Sequence, residues 1–262
     1  MTQVSGATID DVKDYWNRRP CNIRHSRREV GTREYFDEVE ARKYFVEPHI
    51  PGFADFARWN GKSVLEVGCG LGTDAVNFVR NGAAYSAIEL SKESLALAYK
   101  RFEVFGLTGN FVQMNAEELA QGFAPASFDL VYSFGVIHHT PNPRAVIEEI
   151  RKVIRPDGEL RMMLYAKRSW KAAMIDAGLD QPEAQSGCPV AFTYDERDVR
   201  DLLDGIFEPT EMWQDHIFPY QVERYVNYEY IRQPWFEAMP EELFRALEKS
   251  LGWHMLITAR PI

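Results

Sequence analysis

Nine residues constrain this chain more than any other stretch: Glu66-Val67-Gly68-Cys69-Gly70-Leu71-Gly72-Thr73-Asp74. They follow a short apolar run, Ser63 to Val67, and lead into an amphipathic stretch, Thr73 to Asn81. The run reads as a buried strand. The stretch reads as a helix with Ala75, Val76, Phe78 and Val79 on its apolar side and Gly82 as its stop signal. Glycines between them let the backbone turn tightly and let a ligand come close. The helix start behind them presents free N–H groups. A second acid, Glu89, closes the next apolar run, 17 positions after Gly72. A carboxylate there can accept both hydroxyl protons of a ribose. Loop, context and carboxylate agree on a nucleotide site, against the alternative of a tight turn beside a solvated glutamate.

The rest of the middle third continues the alternation. Tyr85 to Ile88 reads as a strand ending at Glu89. Ser91 to Phe105 reads as a helix capped by Ser91 and closed by Gly106. Strands follow at Asn110 to Met114 and Phe128 to Phe134, then a helix from Pro143 to Ile154. Arg155 to Gly158 reads as a turn and Glu159 to Tyr165 as a fifth strand. Strands alternating with helices give an α/β fold with a parallel sheet covered on both faces. Such sheets bind ligands at the carboxyl ends of their strands.

The flanks differ in texture. Residues 1–60 are polar and rich in arginine and aromatics, and read as an N-terminal helical cap. Residues 61–262 read as one domain with insertions at about 166–200 and 218–252. In the tail, Tyr194 to Leu203 reads as a helix and Phe207 to Trp213 as a sixth strand, with a last strand from Trp253 to Ala259. No repeat or Gly/Ser linker separates the parts. The net charge of −9 argues against nucleic acid as a partner. No apolar run is long enough to span a membrane. The polar, acidic stretch after Met1 is unlike a leader. Three dispersed cysteines rule out a disulfide framework and suit a cytoplasmic setting.

The loop also speaks to the nucleotide. Its pattern is G-x-G-x-G behind an acid, whereas a dinucleotide fingerprint needs its third glycine one position later. Glu66 would repel a pyrophosphate, and no base in the loop compensates. A ligand with an amino group and a sulfonium suits Glu66 better. Here the sequence resembles the class I S-adenosylmethionine (SAM)-dependent methyltransferases, of the small-molecule type found among ubiquinone and menaquinone methyltransferases. The resemblance covers roughly residues 60–165. It rests on Val64 to Gly72, Ala87 to Ser91, Asn115 to Leu119 and Phe128 to His139, followed by Ile154 to Glu159.

The resemblance implies a doubly wound, seven-stranded, mostly parallel Rossmann-like sheet with the N-terminal cap, a C-terminal aromatic lid and an antiparallel last strand. It implies SAM as cofactor and a small-molecule methyl acceptor as partner. Glu66, Gly68, Cys69 and Gly70 would hold the methionine end, with Phe134 beside its amine. Glu89 would take the ribose, and Leu90 would pack on the adenine. Asn115, Ala116 and Glu117 would face the adenine edge. Asn115 stands where the family usually has aspartate, and Asp157 where it usually has glycine in a turn; Asx residues tolerate that conformation.

The acceptor would lie beyond the fourth strand. His138 and His139 have the pKa range of a base near neutral pH, or alternatively cap and bond backbone; His216 is a further base candidate. In the cap, Tyr15 and Trp16 would touch donor or acceptor, or merely pack on the core. Arg24 belongs to six arginines between Asn17 and Arg33 that read as a clamp for a carboxylate, or as a solvated face paired with Glu34, Asp37, Glu38 and Glu40. The loop from Glu183 to Val190 offers polar contacts, Cys188 among them. Tyr225, Tyr228, Tyr230, Trp235 and Phe236 would line a dry acceptor pocket or cover the sheet. No carboxylate–histidine cluster has metal-ligand spacing, so no metal is expected. Two other readings stay open: a non-catalytic SAM-binding module and a NAD-dependent oxidoreductase.

Overall fold

The computed structural model describes residues 6–179 and 187–262. Glu183 to Ser186 of the predicted polar loop lie outside the described residues. The chain opens with α1 (Ile9–Arg18), α2 (Arg33–Val46) and α3 (Ile50–Ala54). Thr8 starts α1 in a capping box: its backbone N–H donates to Asp11 at 2.8 Å, and its hydroxyl accepts from the Asp11 N–H. The alternating region follows as β1 (Ser63–Val67), α4 (Thr73–Arg80), β2 (Ala84–Glu89), α5 (Lys92–Phe105), β3 (Asn110–Gln113), β4 (Phe128–Phe134), α6 (Pro143–Val153) and β5 (Ile154–Tyr165). The tail adds α7 (Trp170–Asp176), α8 (Glu196–Leu203), β6 (Phe207–Asp215), α9 (Val222–Tyr225), α10 (Pro234–Glu237), α11 (Glu241–Leu251) and β7 (His254–Pro261).

One seven-stranded sheet runs in the order β3-β2-β1-β4-β5-β7-β6. Pairs from β3 to β5 are parallel, and β7 is antiparallel to both of its neighbours. Strand alternation divides the core in two. Leu65 and Val67 join Val131, Ile147, Leu160 and Leu203 on one face. Val64 joins Ala75, Phe78, Ala98 and Tyr132 on the other. The order in which strands are added reverses between the parallel β1 and β4, so the connections after these strands part and leave a crevice at their carboxyl ends.

Two local expectations differ from the structure. The turn at Arg155 to Gly158 lies inside β5, as extra residues between the Phe128–Ile154 and Leu130–Glu159 pairings. Asp157 does not take the left-handed backbone a glycine would offer there. Tyr194 does not begin α8; it bridges Ala166 beyond the end of β5, and Asp195 caps the helix instead.

The cap is fastened by a buried cation. Arg101 of α5 is fully buried. Its guanidinium donates to Thr73 Oγ1 at 2.6 Å, to the Phe36 carbonyl at 3.0 Å and to Glu40 of α2 at 3.0 Å. The aromatic tail closes on the same cap. Arg42 lies 4.0 Å from the ring centroids of both Tyr225 and Tyr228 and donates to the Tyr225 carbonyl at 2.6 Å.

Candidate functional site

The glycine loop forms the floor of the crevice, and its three glycines do different work. Gly68 has φ +79°, and a Cβ on it would lie 2.3 Å from Val136 Cγ2. It lets the loop after β1 touch the loop after β4. Gly72 has φ +73°, and a Cβ there would stand 3.3 Å from Ala98 of α5. Gly70 has φ +53°, but a Cβ on it would meet nothing within 4 Å. Its bare face looks into open space.

Glu89 reaches back from β2 to hold this loop. Its Oε2 accepts from Gly70 N–H at 2.9 Å and its Oε1 from Ser91 N–H at 2.8 Å. Burial raises its pKa against these two N–H donors. Each carboxylate oxygen keeps a second lone pair for a further donor. Leu90 follows, half-buried, its carbonyl accepting from Gln113.

Behind the loop lies a buried charged group that sequence reasoning missed. Asp74 accepts from Lys43 Nζ at 2.7 Å, Tyr44 OH at 2.9 Å and Tyr132 OH at 3.0 Å. Burial alone would lower the Lys43 ammonium, but Asp74, Glu47 and Glu66 together hold it above its ordinary value. Glu66 accepts a short hydrogen bond from Tyr85 OH. Burial, then the charge on Asp74, pushes the Glu66 carboxyl up to about 8. Two carboxyl groups share one ammonium here, so Glu66 keeps its proton in the absence of a further cation. Asp74 stands in the quoted loop itself, but its partners come from α2 and β4.

Cys21, also unassigned from sequence, lies in the segment after α1, its thiol 3.6 Å from Asn22 Oδ1. Its thiol is exposed, yet partial enclosure pushes it up to about 11, with Glu47, Lys43 and Glu89 acting on it. Trp16 covers the crevice from α1: its carbonyl accepts from Ser91 Oγ at 3.3 Å, and its ring meets that of His139 at 5.4 Å.

The other expected residues fall in several places. Asn115 caps the short turn from Ala116 to Gln121, its Oδ1 accepting from Glu117 N–H at 3.1 Å. Ala116 is buried, and Glu117 accepts from Asn142 N–H at 2.8 Å. Cys69 is buried, its thiol pushed well above its usual range by burial. Phe134 is half-buried and packs 5.4 Å from His254. Tyr15 is buried, with its ring 5.0 Å from Trp16. Arg24 is exposed; its carbonyl, rather than its guanidinium, is the group held, by Tyr228 OH at 2.8 Å. Its neighbours Arg27 and Arg33 also bond backbone, and Arg28 pairs with Glu38 at 2.7 Å.

All three candidate histidine bases are buried. His138 is fully buried, its ring 3.8 Å from that of Tyr165. Burial, then His139, holds it well below its usual range. His139 is tied to the loop before α8, with Nδ1 at 2.7 Å from the Val190 carbonyl and 3.5 Å from Cys188 Sγ. Burial lowers it to about 4. His216 lies beside His49 and His254, and burial lowers it to about 4 as well. Each is a weaker base than a free imidazole. The fold also gathers Glu47, His216 and His254 into a group of possible metal ligands, which their spacing in the sequence does not show.

Known proteins share this framework. Residues 65–162 match the family model for a methyltransferase domain. The chain is 32% identical over 119 residues to a ubiquinone biosynthesis O-methyltransferase of Erwinia tasmaniensis, covering 45% of this chain and 49% of that one. It is 35% identical over 102 residues to the enzyme so named in Paraburkholderia phymatum, covering 39% and 44%. The matched part thus spans about half the length of these relatives. Among solved structures, the magnesium protoporphyrin IX methyltransferase of Synechocystis with bound SAM is similar over 99% of both chains, at TM-score 0.58 and 16% identity. The geranyl diphosphate C-methyltransferase of Streptomyces coelicolor is similar over 98% of this chain and all of its own, at TM-score 0.62 and 14% identity. Residues 65–162 are thus similar to a methyltransferase domain, and the chain shares the fold of these solved methyltransferases.

Proposed function

We propose that the chain binds SAM in the crevice at the carboxyl ends of β1, β2 and β4 and transfers its methyl group to an O, N or S atom of a small molecule. The observation that carries this reading is the open face of Gly70 in the loop after β1, with its N–H held by Glu89 from the end of β2. A ligand can approach the bare backbone there closely. Glu89 would hold the ribose hydroxyls through its remaining lone pairs, Leu90 would pack on the adenine, and Asn115 and Ala116 would border its edge. Glu66 and Asp74 would face the positive methionine end, with Lys43 near its carboxylate.

SAM brings its own leaving group, so the transfer is an in-line displacement that leaves S-adenosylhomocysteine. The chain's task is then to orient the partners and exclude water. Trp16 and His139 would cover the crevice together, their rings 5.4 Å apart. The acceptor would lie beyond β4, beside Phe134. The relatives named as ubiquinone biosynthesis O-methyltransferases support transfer to an oxygen atom. Three free thiols support a reducing, cytoplasmic setting.

Calorimetry with SAM and with NAD tests the reading. SAM binds at one site per chain and NAD does not. Glu89→Ala weakens SAM binding by about 1–3 kcal/mol while the protein stays folded. Binding of NAD instead of SAM contradicts the reading. Tight SAM binding with no methylated product from any fraction of a cell extract leaves a binding module and removes the enzyme.

A further inference from the structure

Beside the crevice, the fold assembles three histidines and a glutamate from distant parts of the chain. Glu47 and His49 follow α2, His216 follows β6, and His254 opens β7. The His49 and His254 rings lie 5.0 Å apart, His49 and His216 5.5 Å, and His216 and His254 4.7 Å. His49 Nε2 stands 2.9 Å from His254 Nδ1. On the other side of the same ring, His254 Nε2 stands 3.7 Å from Glu47 Oε1. His216 and His254 are buried, and His216 holds a left-handed backbone at φ 72°. One ligand atom each from Glu47, His216 and His254 lie within 4.8 Å of one another.

We propose that Glu47, His216 and His254 bind a divalent first-row transition cation, with His49 holding His254 in the ligating tautomer. A point within about 2.8 Å of three atoms so spaced always exists. Metal–nitrogen bonds of about 2.0–2.1 Å then need each ligand to move by about 0.7 Å. The hydrogen bond to His49 sets the chemistry. When His254 Nδ1–H donates to His49 Nε2, its Nε2 carries the lone pair, and that is the atom facing Glu47. Ligating histidines usually give their second N–H to such a partner. Two imidazoles and one carboxylate select a transition cation over Mg2+ and leave coordination positions open. Phe134, which ends β4 at the crevice, packs 5.4 Å from His254, so the site adjoins the crevice. A cation there would supply Lewis acidity towards an acceptor hydroxyl or thiol.

The test uses the chelator-stripped full chain titrated with Zn2+, Co2+ and Mg2+. One equivalent of Zn2+ binds, Co2+ gives visible ligand-field bands that Zn2+ erases, and Mg2+ does not compete. His216→Asn, which suits the left-handed backbone, and Glu47→Gln each weaken Zn2+ binding by more than about 100-fold, with unchanged far-UV dichroism. His49→Ala weakens it by about 10–100-fold. A wild-type chain that takes up no transition cation overturns the site. So does a His216→Asn or Glu47→Gln chain that binds Zn2+ as the wild type does. The readout needs neither SAM nor acceptor, so its failure is distinct from a failure of the methyl-transfer reading.

Discussion

Gly68 and Gly70 stand two residues apart and differ in what a methyl group would meet. Gly68→Ala drives a Cβ into Val136 and also strains the backbone, which alone costs about 1–2 kcal/mol. Gly70→Ala has room, so it bears the backbone cost only, but its methyl enters the ligand's space. Thermal melts and SAM titrations should separate them: Gly68→Ala melts markedly lower, and Gly70→Ala loses SAM affinity out of proportion to its stability. Equal behaviour would contradict the assignment of the open face. Glu66 gives a pH signature. Without ligand it keeps its proton up to about pH 8, with Tyr85, Asp74, Lys43 and Glu89 around it. The native state thus holds a proton that the unfolded chain has lost, and this group's contribution to stability falls as pH rises from the ordinary carboxylate range towards 8. A cation bound nearby favours the ionised form, so SAM affinity rises with pH up to about 8 and levels off above it. Calorimetry at several pH values checks this; affinity that falls over that window would contradict it. The loop and Glu89 were legible because their spacing is local. The partners of Asp74 were not, because Lys43, Tyr44 and Tyr132 reach it from other elements.

At the scale of elements, the strands and helices of the middle third were legible from periodicity and stop signals. β1, α4 and α5 fall within a residue or so of their expected limits. The misses are where pairing overrides local chemistry. Arg155 to Gly158 has turn residues, but Ile154 already pairs with Phe128, so the segment becomes a bulge within β5. Tyr194 has a helical neighbour but bridges Ala166. The contact between α2 and α5 was not legible either, since a buried arginine looks like any surface arginine in sequence. Arg101 has no exposure, and Glu40 is its carboxylate partner. Glu40→Ala should therefore cost about 3–5 kcal/mol, because it leaves a buried cation without its counter-charge. Urea denaturation checks this; a loss under about 1 kcal/mol, the range of a surface pair, would contradict the locking role.

Over the whole molecule, the crevice is a joint product of both flanks and the central sheet. α1 and α2 bring Trp16 and Lys43 to it; the segment after α2 and the tail bring Glu47, His216 and His254 to its edge. Tyr225 and Tyr228 clasp Arg42, so the tail also grips the cap. Expectation placed the aromatics at a pocket or on the sheet, and these two serve as a fastening between the chain's ends. That role depends on contacts some 180 residues apart, which no local pattern encodes. The account stands on the adenosine lying between the glycine loop and β2. A crystal structure of the chain with S-adenosylhomocysteine tests it most directly. The ribose should sit on Glu89 and the sulfur near Phe134, with the amino-acid end over Gly70. Adenosine bound elsewhere, or this crevice filled by the protein's own side chains, would contradict it.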